Sequence, residues 1–162
     1  MGLLGAFKSF YWVMRLTPKN PRIPHLKSPK KNLKKKINMK LTTFLYKSSK
    51  STSRGAFELA ATGFTELCQE VRRRSAKEAG FSNLLDEWLD ECLAILKDEE
   101  KVKRLCNTRR SAGLPFMFVA ICSADVGRRS KPLLMKTMME IFPLAEDLSD
   151  EEVACHARNI LR

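Results

Sequence analysis

Beyond residue 53, apolar residues recur every three or four positions, the spacing that lines up one face of an α-helix. The first such stripe, Phe57, Ala60, Ala61, Phe64, Leu67, Cys68 and Val71, runs into Arg72-Arg73-Arg74, where cations suit the negative end of a helix dipole. After Gly80, Ser82 or Asn83 can cap a second helix. Its stripe is Leu84, Leu85, Trp88, Leu89, Cys92, Leu93 and Leu96, with Asp86, Glu87, Asp90 and Glu91 on the opposite face. A third helix is predicted from Gly113 or Pro115 to Ala124, and a fourth from Pro132, a favoured first position, with Leu133, Leu134, Met138 and Ile141 apolar and Pro143 ending or kinking it. The last opens on the capping box Ser149-Asp150-Glu151-Glu152 and continues through Val153, His156, Ala157, Ile160 and Leu161.

No stretch alternates β-branched residues and no Asn-Gly hairpin signal occurs, so the prediction is all-α: five helices joined by short connections and stacked as an α-solenoid segment or small bundle. The final helix still offers an apolar stripe in want of a neighbour, which favours the solenoid and a chain that is part of something longer.

Residues 1–53 read differently. Pro18, Pro21, Pro24 and Pro29 interrupt any helix, the run Lys30-Lys31-Asn32-Leu33-Lys34-Lys35-Lys36 repels itself, and residues 48–53 form a Ser/Lys/Thr linker. This segment is expected to be a disordered basic leader, and residues 54–162 the folded part. Charge divides at the same place. Of the 30 Lys and Arg, 13 lie in residues 1–53, which hold no acid, so the remaining 17 face all 18 acids and the folded part is near neutral at −1. The chain's total of +12 is thus a property of the leader. The lysine run suits nonspecific polyanion binding or nuclear localisation, but no aromatic residue lies within it to stack on bases. An acid-free start carrying Phe7, Phe10, Trp12 and Val13 has some character of a mitochondrial presequence, although Lys outnumbers Arg; Met1-Gly2 lacks the hydroxyl residue that myristoylation expects at Ala6.

Chemistry-bearing constellations are sparse. Five widely spaced cysteines (Cys68, Cys92, Cys106, Cys122, Cys155) suit reduced thiols, and two distant histidines, His25 and His156, offer no zinc spacing. The glycines form no phosphate loop, no nucleophile sits with a base, and the longest apolar run, 112–124, is too short to span a bilayer. Neither an enzyme, a cofactor nor a membrane protein is expected.

Arg-Arg-Ser occurs three times, at Arg73-Arg74-Ser75, Arg109-Arg110-Ser111 and Arg128-Arg129-Ser130, each near a predicted helix end. In a solenoid these places line a rim, where guanidinium forks match phosphate oxygens; dipole compensation and solubility account for them equally. The second occurrence continues as Arg109-Arg110-Ser111-Ala112-Gly113-Leu114-Pro115-Phe116. There Ala112 and Gly113 permit close backbone approach, Pro115 presets a helix start, and Phe116, Phe118 and Val119 are expected to anchor it in the core. Such a segment either just starts a helix or holds two guanidinium groups rigidly for a phosphate or carboxylate.

This octapeptide resembles a segment of the thyroid adenoma-associated protein family, long HEAT-like proteins of eukaryotes. Arg54-Gly55-Ala56-Phe57-Glu58-Leu59-Ala60 with Gly63-Phe64, and Val153 with His156-Ala157-Arg158-Asn159-Ile160-Leu161-Arg162, are similar to flanking segments of the family in the same order. The resemblance covers residues 54–162 and not the leader; Cys155 and Arg158 depart from the family's pattern. It implies a fragment of a HEAT/armadillo-type solenoid that acts in the cytoplasm without catalysis. Its implied role is to bind a partner tRNA 2′-O-methyltransferase, and possibly tRNA, so that the anticodon-loop ribose is methylated. Arg109, Arg110, Ser111, Ala112, Gly113, Leu114 and Pro115 are then the partner- or tRNA-binding residues. The alternative is a structural repeat fragment with no activity of its own and a leader that binds polyanions nonspecifically.

Overall fold

A computed structural model describes residues 54–77, 79–105, 113–125 and 132–162. Among the described residues there are six α-helices and no strand: α1 (Arg54–Ser75), α2 (Leu84–Leu96), α3 (Glu99–Leu105), α4 (Leu114–Ser123), α5 (Pro132–Glu146) and α6 (Glu151–Leu161), with a 3-10 turn at Ala79–Phe81. The all-α expectation holds, and one helix was missed. The leader, Arg109–Ala112, Arg128–Ser130 and Cys106 lie outside the described residues.

Most of the striped positions read from the sequence build the core, although Leu134 of the fourth stripe is exposed. On α1, Ala60, Phe64, Leu67, Cys68 and Val71 are buried; on α2 all seven predicted apolar positions are, together with Ile95. Trp88 lies at the centre, its ring 5.8 Å from that of Phe64. Helix α4 is apolar around most of its circumference and occupies the middle of the fold, packing against α1, α2, α5 and α6. The missed helix α3 is seven residues long and contributes Val102 to the core. Its sequence, Glu-Glu-Lys-Val-Lys-Arg-Leu, has too few apolar residues to show a period. Asp98 starts it, accepting from the Lys101 N–H at 3.1 Å.

Two local expectations need correction. Helix α6 is capped by Asp150, whose carboxylate accepts from the Val153 N–H at 3.0 Å. Ser149 instead turns back, donating its N–H and hydroxyl to Asp147 Oδ1 at 2.8 and 2.6 Å, which lowers the Asp147 pKa. Aspartate is as good a cap as serine and here stands one residue closer to the helix. Helix α5 runs through Pro143 to Glu146. Pro143 is exposed, as is Met139, whose carbonyl loses its helical donor there, so the lost hydrogen bond falls on the outer side of the helix.

Candidate functional site: the start of the central helix

The octapeptide is divided by the edge of the described residues. Gly113, Leu114, Pro115 and Phe116 are placed, while Arg109, Arg110, Ser111 and Ala112 are not described. Gly113 is the N-cap of α4, with φ −90° and ψ −5°, and its carbonyl accepts from the Met117 N–H at 3.2 Å. Any residue adopts that backbone, and the position is buried where α4 enters the core. Leu114, only 1% exposed, is among the most deeply buried side chains. Pro115 sits in the first turn of α4, where its lost N–H costs nothing. Gly113 and Leu114 are therefore an anchor in the core.

The anchor is narrower than the sequence suggested. Phe118 is buried with Leu114, Met117, Ala120 and Ile121, but Phe116 is 49% and Val119 62% exposed. They lie three apart, on the side of α4 turned away from the core, so an almost wholly apolar helix gave no periodic signal to separate inside from outside.

Helix α4 ends at a carboxylate that the sequence reading missed. Asp125, 1% exposed, accepts from the Leu133 N–H at 3.0 Å through Oδ2 and so caps the start of α5. Among the described residues its Oδ1 accepts no hydrogen bond, but Arg72 Nη2 lies 3.4 Å away, beyond good hydrogen-bond distance and close enough for a strong charge attraction. One buried acid thus joins the end of α1, the end of α4 and the beginning of α5. An acid directly after a long apolar helix and shortly before a proline-started one was the available clue. Beside it Cys122 Sγ is 3.3 Å from the Thr137 hydroxyl, and Thr137 donates to the Leu133 carbonyl at 2.8 Å. Burial pushes the Cys122 thiol pKa up and that of Cys68 well up, the latter with help from Cys92 and Cys122, so these thiols stay protonated at neutral pH.

The proposed basic rim is weakened at its first member. Arg73 and Arg74 both turn to Glu70 on the preceding turn, Arg74 Nε at 2.7 Å from Oε1, and the Arg74 guanidinium stands 5.8 Å from the Phe81 ring centre. Ser75 donates to the Arg72 carbonyl at 2.7 Å. This Arg-Arg-Ser closes a helix end. The two others lie outside the described residues.

His156, a residue of the family-like segment, is buried, and its pKa is lowered by that burial against the opposing pull of Glu152 and Asp150. Cys155 and Arg158 are exposed, with Arg158 paired to Glu151 at 3.2 Å, so the two departures from the family pattern lie off the core. Among the described residues no group of three His, Cys, Asp or Glu could hold a metal ion, and no helix is long and apolar enough to cross a membrane.

The THADA/TRM732, DUF2428 family model matches residues 25–162. The match reaches back past the lysine run, which the motif-based resemblance had left out. Similar curated proteins include the tRNA (32-2'-O)-methyltransferase regulators THADA of Chlorocebus aethiops and Mus musculus, each 38% identical over 115 residues, 69% of this chain and 6% of the relative. That of Drosophila melanogaster is 33% identical over 127 residues, 74% of this chain and 7% of the relative. The chain thus spans a small fraction of the length of these relatives, and no solved structure matches it. With most of its length matched, the anchor of the octapeptide included, the chain belongs to the THADA/TRM732 family.

Proposed function

We propose that this chain is a non-catalytic scaffold segment that supports 2′-O-methylation of the tRNA anticodon-loop ribose by a partner methyltransferase in the cytoplasm. The observation that carries the reading is the family match running through Arg109–Phe116, whose relatives are named as regulators of a tRNA 2'-O-methyltransferase. The buried end of the motif is consistent with it: Gly113 and Leu114 sink into the core at the start of α4, a few residues after Arg109 and Arg110 in the sequence. Paired guanidinium groups suit a carboxylate on the methyltransferase or a phosphate of tRNA. The partner supplies the S-adenosylmethionine chemistry; the scaffold supplies position, which alone can change a rate by orders of magnitude.

Reconstitution tests this. Adding the full chain to the cognate methyltransferase with its tRNA is expected to raise transfer of labelled methyl to the anticodon-loop ribose, and Arg109→Ala with Arg110→Ala is expected to abolish the increase. No increase with the unaltered chain overturns the scaffold role. The second reading, an inactive repeat fragment whose leader binds polyanions, is favoured by the charge division at residue 53. It predicts tRNA binding that disappears with residues 1–53 and ignores Arg109 and Arg110.

A further inference from the structure

A serine motif and a buried ion pair share the end of α1. Ser75, the last residue of the helix, is half-buried and is followed by the exposed Ala76 and Lys77. Its hydroxyl donates to the Arg72 carbonyl at 2.7 Å, a bond within its own last turn, which a helix end gives up at little cost when it frays. Arg72, Arg73 and Arg74 stand ahead of it, and Ser75 is the only Ser or Thr of the chain with arginine three positions before it. The other two Arg-Arg-Ser sites have Thr108 and Gly127 there. Arginines two and three positions before a hydroxyl are what a serine kinase with an acidic substrate groove recognises, since each guanidinium makes a charge-assisted contact with a carboxylate. The Arg73 side chain, 74% exposed, is open to such a groove in the folded chain.

Arg72 ties this serine to the middle of the fold. Its Nη2 lies 3.4 Å from Asp125 Oδ1, longer than a good hydrogen bond, and that oxygen accepts no hydrogen bond among the described residues. Asp125 Oδ2 meanwhile holds the Leu133 N–H at the start of α5. Arg72 and Ser75 are three apart on one helix and so are neighbours, with about 5–6 Å between Cβ atoms. A phosphate on Ser75 carries roughly two negative charges at neutral pH and sits at the negative end of the helix dipole, where it needs a cation. Arg73 and Arg74 are drawn to Glu70, so the loosely held Arg72 is the cation at hand.

We propose that Ser75 is a phosphorylation site for an arginine-directed serine kinase, and that its phosphate takes Arg72 from Asp125 and so loosens the start of α5. In the transfer the γ-phosphorus of ATP bonds to Ser75 Oγ, the hydroxyl proton passes to the kinase's base, and ADP leaves with the electron pair of the broken P–O bond. The ester oxygen can no longer donate to the Arg72 carbonyl, so the last turn of α1 loses that bond. Asp125 is left buried without its counter-charge, and the helix that it starts responds.

The first arm of the test treats the full chain with γ-labelled ATP and the catalytic subunit of cyclic-AMP-dependent protein kinase, a kinase of this class. Label is expected on Ser75, located by peptide mass spectrometry, and Arg73→Ala, which removes an exposed side chain, is expected to slow its incorporation at least about tenfold. The second arm needs no kinase: phosphoserine is installed at position 75 during synthesis of the full chain, and amide hydrogen exchange is followed. Exchange at Leu133 and in the first turn of α5 is expected to quicken at least about tenfold, while that around Trp88 in α2 stays within about twofold. Asp125→Asn keeps an oxygen for the Leu133 N–H but has no charge to strand, so in that chain the phosphate is expected to leave α5 unchanged. Label only on other residues, a Ser75 rate that ignores Arg73, an α5 that does not respond, uniform quickening through α2, or the same response in the Asp125→Asn chain each overturn the proposal.

Discussion

Helices α2 and α5 are of similar length and similarly rich in apolar residues, yet only α2 has a single inside. Every large apolar side chain of α2 is buried and its acids line the other face, so its sequence states where the core is. Helix α5 buries Leu133 and Ile141 and leaves Met135, Met139 and Phe142 outside, so its sequence asks for more cover than the described fold provides. Burial, not apolar character, is what stabilises; an exposed methionine is a contact waiting for a partner.

The largest test of the contrast compares Trp88→Ala with Met139→Ala by urea denaturation. Truncating Trp88 removes a fully buried ring and is expected to cost about 3–5 kcal/mol, whereas Met139→Ala is expected to cost less than about 1 kcal/mol. Equal losses would erase the distinction between the two helices.

Asp125→Ala comes next. It strands the Leu133 N–H and removes the charge facing Arg72, and about 2 kcal/mol is expected; Arg72 remains partly exposed, which keeps the loss below that of a fully buried pair. Because Asp125 starts α5, hydrogen exchange in that variant is expected to quicken first in α5 and only slightly in α2. Uniform quickening would show that the two helices open together.

A smaller effect is read from pH. The folded pKa of His156 is lowered below its ordinary 6.5, so the unfolded state binds the proton more readily. Stability from this group is complete above pH 6.5 and is lost as the pH falls through and below that value toward the folded pKa. His156→Gln is expected to flatten that part of the stability curve; an unchanged slope would assign it to other groups.

The smallest effect concerns the margin where the two helices meet. Lys97–Glu140 and Lys136–Asp90 bridge α2 and α5 at 2.5 and 2.6 Å, but all four side chains are at least a third exposed. A double-mutant cycle on either pair is expected to give about 0.5 kcal/mol or less, vanishing in high salt.

These differences track what the sequence disclosed. Phe64, Leu67, Trp88, Leu89 and Leu96 were legible because polar residues separate them at helical intervals. Phe116 and Val119 were misplaced because α4 is apolar nearly all round, and a helix without a polar face carries no phase. Helix α3 was too short and too charged to show one. Asp125 was invisible for another reason: its partners, Arg72 and the Leu133 backbone, lie far apart in sequence or carry no side-chain signal, and only packing brings them to one carboxylate. Of the octapeptide, Gly113 was readable as a place for close approach and Pro115 as a helix start, whereas the burial of Leu114 was not read from the sequence. The role proposed for Arg109 and Arg110 rests on family resemblance more than on their chemistry.

The proposal that Arg109 and Arg110 make the contact is the core of the functional account, and affinity for the proposed methyltransferase partner tests it most directly. The dissociation constant of the full chain with the proposed methyltransferase, measured by calorimetry, is predicted to be at least about tenfold higher for Arg109→Ala with Arg110→Ala than for the unaltered protein, while helicity and melting temperature stay the same, as expected when two charge-assisted contacts are removed. An unchanged dissociation constant in a folded double variant would contradict it.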